Sequence, residues 1–265
     1  MLTLYFSATG NTEYIARSFS RQTGAKCLSI EADADFVREL KEHDSIAFCY
    51  PVYGSRVPRI MREFVARYMS DINGKKIIIL ITQALFSGDG ARVFSDMFWD
   101  GTIEIIYAEH FNMPNNVSNV PLLRKPGDKA IKRCVEKADK KMLKICSDIQ
   151  NGIVKKRGFS RFSQFLGNIQ GNFWQGPGKE IHPKESSIEF KSMNGVKIHK
   201  ECSSCNLCVN ICPMMNLTNE QGIIKPQGNC TVCYRCVNRC PKKAITVMML
   251  KIKPRWQYNY CFLKI

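Results

Sequence analysis

The sequence predicts an α/β chain in which a doubly wound sheet of five parallel strands precedes a smaller α+β module built around cysteines. Three observations carry that expectation. Short apolar runs alternate with amphipathic stretches over the first 150 residues, eight of the 13 cysteines fall between Cys202 and Cys240, and the two regions are separated by a basic, aromatic stretch of different texture.

The strand candidates are residues 2–6, 27–30, 45–50, 76–82 and 103–108, each short and rich in β-branched or aromatic residues, as strands buried on both faces are. Helical patterns occupy 12–21, 35–41, 58–68 and 91–99, and a long charged-and-apolar repeat follows over 128–150. Strict β-α-β-α alternation implies parallel strands joined by right-handed crossovers. Domain boundaries are expected at 1–150, 151–192 and 193–265.

Composition narrows the classes. The chain has 265 residues at 45% hydrophobic, enough for a buried core without disulfides, which excludes a disordered or fibrous protein. Its net charge of +16 is uneven: −2 over residues 1–123, +11 over 124–200 and +7 over 201–265. No charged start followed by an apolar core suggests a signal peptide, and no apolar run nears the roughly 18 residues of a membrane span. Clustered thiols read as metal ligands and point to a reducing cytoplasm.

The arm over 151–192 contains Lys155, Lys156 and Arg157, then Phe159, Phe162, Phe165, Leu166, Ile169 and Phe173 at near-helical spacing. The expectation is a helix that packs this apolar face on one of the domains, with a helix on a membrane surface as the alternative. Past Met193 the cysteine module ends in an apolar and aromatic tail, 245–265, expected to pack back on the body.

Cys202, Cys205 and Cys208 are spaced C-x-x-C-x-x-C, with Cys212-Pro213 after three more residues; Cys230, Cys233, Cys236 and Cys240-Pro241 repeat the pattern. Three thiolates at this spacing wrap one iron–sulfur cube, and the fourth reaches the neighbouring cube. Two [4Fe–4S] clusters follow, one on Cys202, Cys205, Cys208 and Cys240, the other on Cys230, Cys233, Cys236 and Cys212. Paired zinc sites are the alternative, but zinc leaves the third cysteine and the prolines unexplained. The segment resembles a bacterial two-[4Fe–4S] ferredoxin, which implies a low-potential electron carrier.

The first strand runs into Ser7, Ala8, Thr9, Gly10, Asn11 and Thr12, and a helix follows. Small hydroxyl residues and glycine at such a turn offer amides and hydroxyls to a phosphate without a Lys or Arg, although Asn11 or Thr12 can also simply cap the helix. The run is neither a Walker loop nor a G-x-G-x-x-G turn. S-x-T-G-N-T resembles the flavin mononucleotide (FMN) phosphate loop of flavodoxins, which implies a flavodoxin-like fold with the ligand at the C-terminal strand ends.

That resemblance assigns the flavin ring to Pro51, Val52, Tyr53 and Gly54 after the third strand, and to Gln83, Ala84, Leu85, Phe86, Ser87 and Gly88 after the fourth. Tyr53 would stack on the ring or serve as an ordinary half-buried tyrosine. No tryptophan stands in these loops, a departure from many flavodoxins. Residues 112–115 face the same rim, Cys27, Cys49, Cys134, Cys146 and Cys261 have no metal spacing, and no nucleophile–base arrangement is apparent.

The whole chain resembles flavodoxin–ferredoxin fusion proteins of anaerobic metabolism, which implies electron transfer between FMN and two clusters and on to a redox partner protein. The positive surface would suit an acidic partner. Two alternatives stand beside it: a flavoenzyme that reduces a small molecule at the flavin, and a basic nucleic-acid or membrane binding module with structural clusters.

Overall fold

The computed structural model describes residues 1–86, 88–99, 101–119, 126–176, 182–248, 254 and 256–259. Ser87, Pro177-Gly178, Cys261 and most of the tail expected to pack back lie outside the described residues.

Six parallel strands form one sheet in the order β2-β1-β3-β4-β5-β6. These are β1 (Leu2–Tyr5), β2 (Lys26–Ser29), β3 (Ser45–Pro51), β4 (Lys76–Gln83), β5 (Glu104–Asn112) and β6 (Lys155–Lys156). The expected count of five was one short. Strand β6 has only two residues, too few for any hydropathic period, and it pairs Tyr107 with Lys155 and Ala108 with Lys156. What holds it is the buried carboxylate of Glu109, which accepts from Lys155 Nζ at 2.6 Å and Arg157 Nη1 at 2.9 Å. An ionised carboxyl taken from water needs such partners. The basic run of the arm is thus partly used inside the sheet's edge.

Period-two alternation explains both cores. On one face Leu2, Leu4, Phe6, Ile46, Phe48, Tyr50, Ile77, Ile79 and Ile81 pack under α2 (Phe36–Lys41), α3 (Arg59–Arg67), α4 (Met69–Ile72) and α5 (Gly90–Ser95). The other face presents Tyr5, Ala47, Cys49, Ile78, Leu80, Tyr107 and Phe111 to α1 (Asn11–Thr23) and α6 (Asp128–Gln150). Strand order reverses between β1 and β3, so a crevice opens there beyond the C-terminal strand ends.

The arm continues as α7 (Arg161–Trp174), started by Ser160, whose hydroxyl accepts from the Ser163 amide at 3.1 Å. Its orientation is the reverse of the expectation. Gly167 and Gly171 are buried, whereas Phe162, Phe165, Ile169 and Phe173 are 70%, 63%, 47% and 70% exposed. A Cβ on Gly167 would fall on the Asp89 side chain, and one on Gly171 on the Arg56 guanidinium. Arg56 and Asp89 are both buried, so the surface beneath α7 is polar and accepts only the glycine face.

The cysteine-rich part contains α8 (Ile188–Asn194), α9 (Leu207–Asn210), α10 (Arg235–Arg239), the antiparallel pair β7 (Lys197–Ile198) with β10 (Ile245–Thr246), and the hairpin β8 (Leu217–Glu220) with β9 (Ile223–Pro226). It is bolted to the sheet half. Arg62 and Glu189 form a buried ion pair at 3.0 Å, and Cys233 packs into the hydrophobic cluster of the first sheet face. Among the described residues, no helix is long and apolar enough to cross a membrane.

Candidate functional site

A cavity of about 630 Å³ occupies the crevice at the strand ends, a size that suits a small-molecule cofactor. The turn after β1 supplies Ser7, Ala8, Thr9, Asn11 and Thr12 to its wall. Gly10 sits at φ 96° as the N-cap of α1 and offers no side chain, so the first amides of a 13-residue helix have no side-chain cap. Ser7 Oγ accepts from the Gly10 amide at 3.2 Å, and Thr12 and Thr82 share a buried hydroxyl contact at 2.7 Å. These bonds hold the loop in the shape of an anion cradle.

The opposite wall comes from the two later loops. Pro51, Val52, Tyr53, Gly54, Gln83, Ala84, Leu85 and Phe86 all line the cavity. Gly88 does not. It lies beneath α7 at φ 52°, where a Cβ would meet the Gly167 backbone and Ser55 Oγ. Of the run 112–115, Met113, Pro114 and Asn115 line the rim and Asn112 does not; Asn11 Nδ2 donates to Pro114 O at 2.8 Å.

Several lining residues carry no local signal in the sequence. Trp174 reaches in from the end of α7, its ring centroid 6.5 Å from that of Tyr53 at 55°, and it lies against Gly54, where a Cβ would collide with it. The arm thus places a tryptophan at this wall. Val232, Tyr234 and Met248 complete the wall from the cysteine-rich part. No Lys, Arg, His, Asp or Glu stands among the described lining residues. The Tyr53 hydroxyl is buried with no hydrogen-bond partner among the described residues, and burial pushes its pKa well up, with the nearby Cys233 thiol adding to the effect.

The cysteines gather in two groups. Cys212, Cys230, Cys233 and Cys236 ring one small cavity, and Cys202, Cys205, Cys208 and Cys240 ring another. Each group thus combines one C-x-x-C-x-x-C run with the fourth cysteine of the other run. Among the described residues, no three His, Cys, Asp or Glu side chains converge at the distances of a single-ion site.

The backbone repeats as the spacing does. Ser204, Asn206 and Met215 in the first run, and Val232, Tyr234 and Lys243 in the second, all take positive φ, at 51°, 60°, 49°, 57°, 64° and 49° respectively. Such conformations are uncommon for non-glycine residues and strained for a β-branched valine, so their recurrence at matching positions marks two copies of one wrapping turn. Amides aim at the sulfurs: Asn216 to Cys212 and Val232 to Cys230 at 3.2 Å, and Ala244 to Cys240 at 3.3 Å. Burial pushes the Cys233 and Cys208 thiols up to about 11.

Arg235 joins the two sites. Its guanidinium donates to Ser7 O at 2.7 Å and Ala8 O at 3.3 Å, pairs with Glu31 at 2.6 Å, and stands between Cys233 and Cys236 in the chain. The cradle and the second cysteine run are therefore held by one side chain. From the tail, Tyr258 donates to Asn11 Oδ1 at 2.8 Å.

Comparison with known proteins agrees with the sheet half. A family model described as a flavodoxin domain matches residues 2–114. The N-terminal part is a flavodoxin-like domain. Similar solved structures include a flavodoxin from the domain Archaea (18% identity, TM-score 0.34, covering 54% of this chain and 96% of that one). Flavodoxin 2 from Bacillus cereus (18%, 0.38, 56% and 97%) and the two-electron reduced Megasphaera elsdenii flavodoxin (23%, 0.38, 53% and 99%) are others. No curated protein matches the chain significantly.

Proposed function

We propose that this chain is an electron-transfer protein that holds FMN in the strand-end cavity and two [4Fe–4S] clusters in the cysteine-ringed cavities, and exchanges electrons with a redox partner protein. The observation that carries this reading is a shared wall. Tyr234 lines both the strand-end cavity and the cavity of Cys212, Cys230, Cys233 and Cys236, and Val232 lines the former from the same turn. A flavin takes two electrons and gives them singly, whereas each cluster passes one, so the pair couples two-electron to one-electron chemistry.

The residues divide the work. The uncapped amides after Gly10 and the Ser7, Thr9 and Thr12 hydroxyls would hold the phosphate, while Tyr53 and Trp174 would bracket the ring with aromatic surface. Amide donors to Cys212, Cys230 and Cys240 would stabilise the reduced, more negative state of each cluster and so raise its potential.

An exit lies on the far side. Cys205 is exposed, Lys242 lines its cavity, and Lys200 and Lys243 are exposed nearby in the chain, a surface suited to an acidic partner. Among its described lining residues the strand-end cavity offers no charged side chain to orient a substrate beside the ring, which favours a carrier over a flavoenzyme. The basic run is partly engaged by Glu109 at the sheet's edge. A reducing cytoplasm suits thiolate ligation.

The test is iron, sulfide and flavin content of protein purified without oxygen. About eight iron, eight sulfide and one FMN per chain are expected. Zinc in place of iron, or failure to take up flavin on reconstitution, would overturn the reading.

A further inference from the structure

Helix α7 shows an inverted amphipathicity. At about 100° per residue, Phe162, Phe165, Ile169 and Phe173 fall within roughly 60° of one another's mean direction, and Gly167 and Gly171 fall about 140–180° away. The inner face is pinned by polar contacts: Ser55 Oγ to Gln170 Oε1 at 2.6 Å, and Arg56 to Gly167 O and Asn172 Oδ1, each at 3.4 Å. The helix therefore cannot roll its phenylalanines inward without stripping Arg56 and Asp89 of their surroundings and forcing apolar side chains onto them.

What covers this face is indicated by charge. Between Lys155 and Lys179 the chain carries five basic residues, Lys155, Lys156, Arg157, Arg161 and Lys179, and no acidic one. Lys156 and Arg161 are exposed, and the Glu109 carboxylate answers only part of the positive charge of Lys141, Lys155 and Arg157. Phenylalanines flanked by cations, with no carboxylate between them, match an interface that is apolar within and anionic at its rim. An acidic protein would answer the charge but would not demand a continuous phenylalanine stripe.

We propose that α7 is a membrane-surface helix that lays Phe162, Phe165, Ile169 and Phe173 into an anionic lipid bilayer, with Lys156 and Arg161 at the headgroups. Docking is peripheral and reversible, because one helix face supplies a single amphipathic contact. It needs neither flavin nor clusters, so it stands or falls separately from the redox reading.

The test is flotation of the full-length protein with vesicles of phosphatidylcholine alone or containing about a third phosphatidylglycerol. The expected result is on the order of tenfold or more tighter partition to the anionic vesicles, weakened by salt. A Phe165→Ser/Phe173→Ser double variant should lose at least about tenfold of that partition with its circular dichroism unchanged, because both side chains are exposed. Lys156→Glu/Arg161→Glu should lose binding to anionic vesicles alone. Absence of partition, or partition indifferent to the double serine variant, overturns the proposal. So does a concentration-dependent dimer that the serine variant dissolves while wild type ignores vesicles, since the face is then covered by a second copy.

Discussion

The two halves of the molecule shape their cavities by different means. In residues 1–150 the strand-end cavity sits on a sheet buried on both faces, and Ser55 is the sole described non-glycine residue there with positive φ. Between residues 204 and 248 eight non-glycine residues take positive φ, strands have two to four residues, and the hydrophobic cluster is small. Left-handed conformations cost on the order of 1 kcal/mol or more each, and little regular structure is there to offset them. The first cavity is a product of the fold, whereas under the proposed reading the second region needs the clusters it would hold.

The largest expected effect breaks that contrast directly. If the cysteine groups hold the proposed clusters, chelating their iron or replacing Cys236 with Ala should release the backbone around 202–248 while the sheet persists. Hydrogen exchange should show protection falling by roughly a hundredfold or more in the cysteine-rich part and staying nearly constant in β1, β3 and β4. Equal loss in both halves would make them one cooperative unit.

Next in size is the bolt between them. Glu189→Ala removes the buried carboxylate that balances the Arg62 charge and should cost about 3–5 kcal/mol, read by denaturant unfolding. A cost below about 1 kcal/mol would mean that the halves separate freely in solution. Gly171→Val should cost about 1–3 kcal/mol by forcing α7 off Arg56, and should move Trp174 fluorescence toward that of a solvated indole. Trp174→Ala, which leaves the sheet untouched, should weaken flavin binding about tenfold in a fluorescence titration, from loss of one aromatic wall.

A further pair of effects is in acid and belongs to the sheet's edge. Burial, with Arg157 beside it, lowers His110 to about 4, so it stays neutral in the folded state while the unfolded chain takes up a proton below pH 6.5. Its contribution is present above pH 6.5 and fades down to about 4. Burial alone would raise Glu109, but the Lys155 and His110 amide hydrogen bonds and the charge of Lys141 hold it down at about 2. Its stabilisation is present above pH 4.5 and lost as pH falls toward 2. Unfolding midpoints measured across pH 7 to 2 should show both steps, and His110→Gln should remove the upper one.

Much of this was legible because it is local. The first five strands follow from short runs rich in Leu, Ile and aromatics, the cradle is six consecutive residues, and the grouping of each cysteine run with the other's fourth cysteine matches the expectation drawn from their spacing. Gly88 entered the expected ring loop only by adjacency, and the fold turns it under α7 instead.

What the sequence by itself determined is the main strands and helices of the sheet half and the spacing of the cysteine runs, since hydropathic period and ligand spacing are written in contiguous residues. What only the tertiary structure decided is which surfaces meet. Strand β6 exists because Glu109, some 46 residues earlier, is buried and needs Lys155; Trp174 and Tyr234 reach the cavity from distant segments; and α7 turns its glycines inward because Arg56 and Asp89 lie beneath it. The same periodic stripe of phenylalanines fits a helix facing in or out. Its direction is set by the polarity and steric room of the surface beneath, a property of residues far away in the chain.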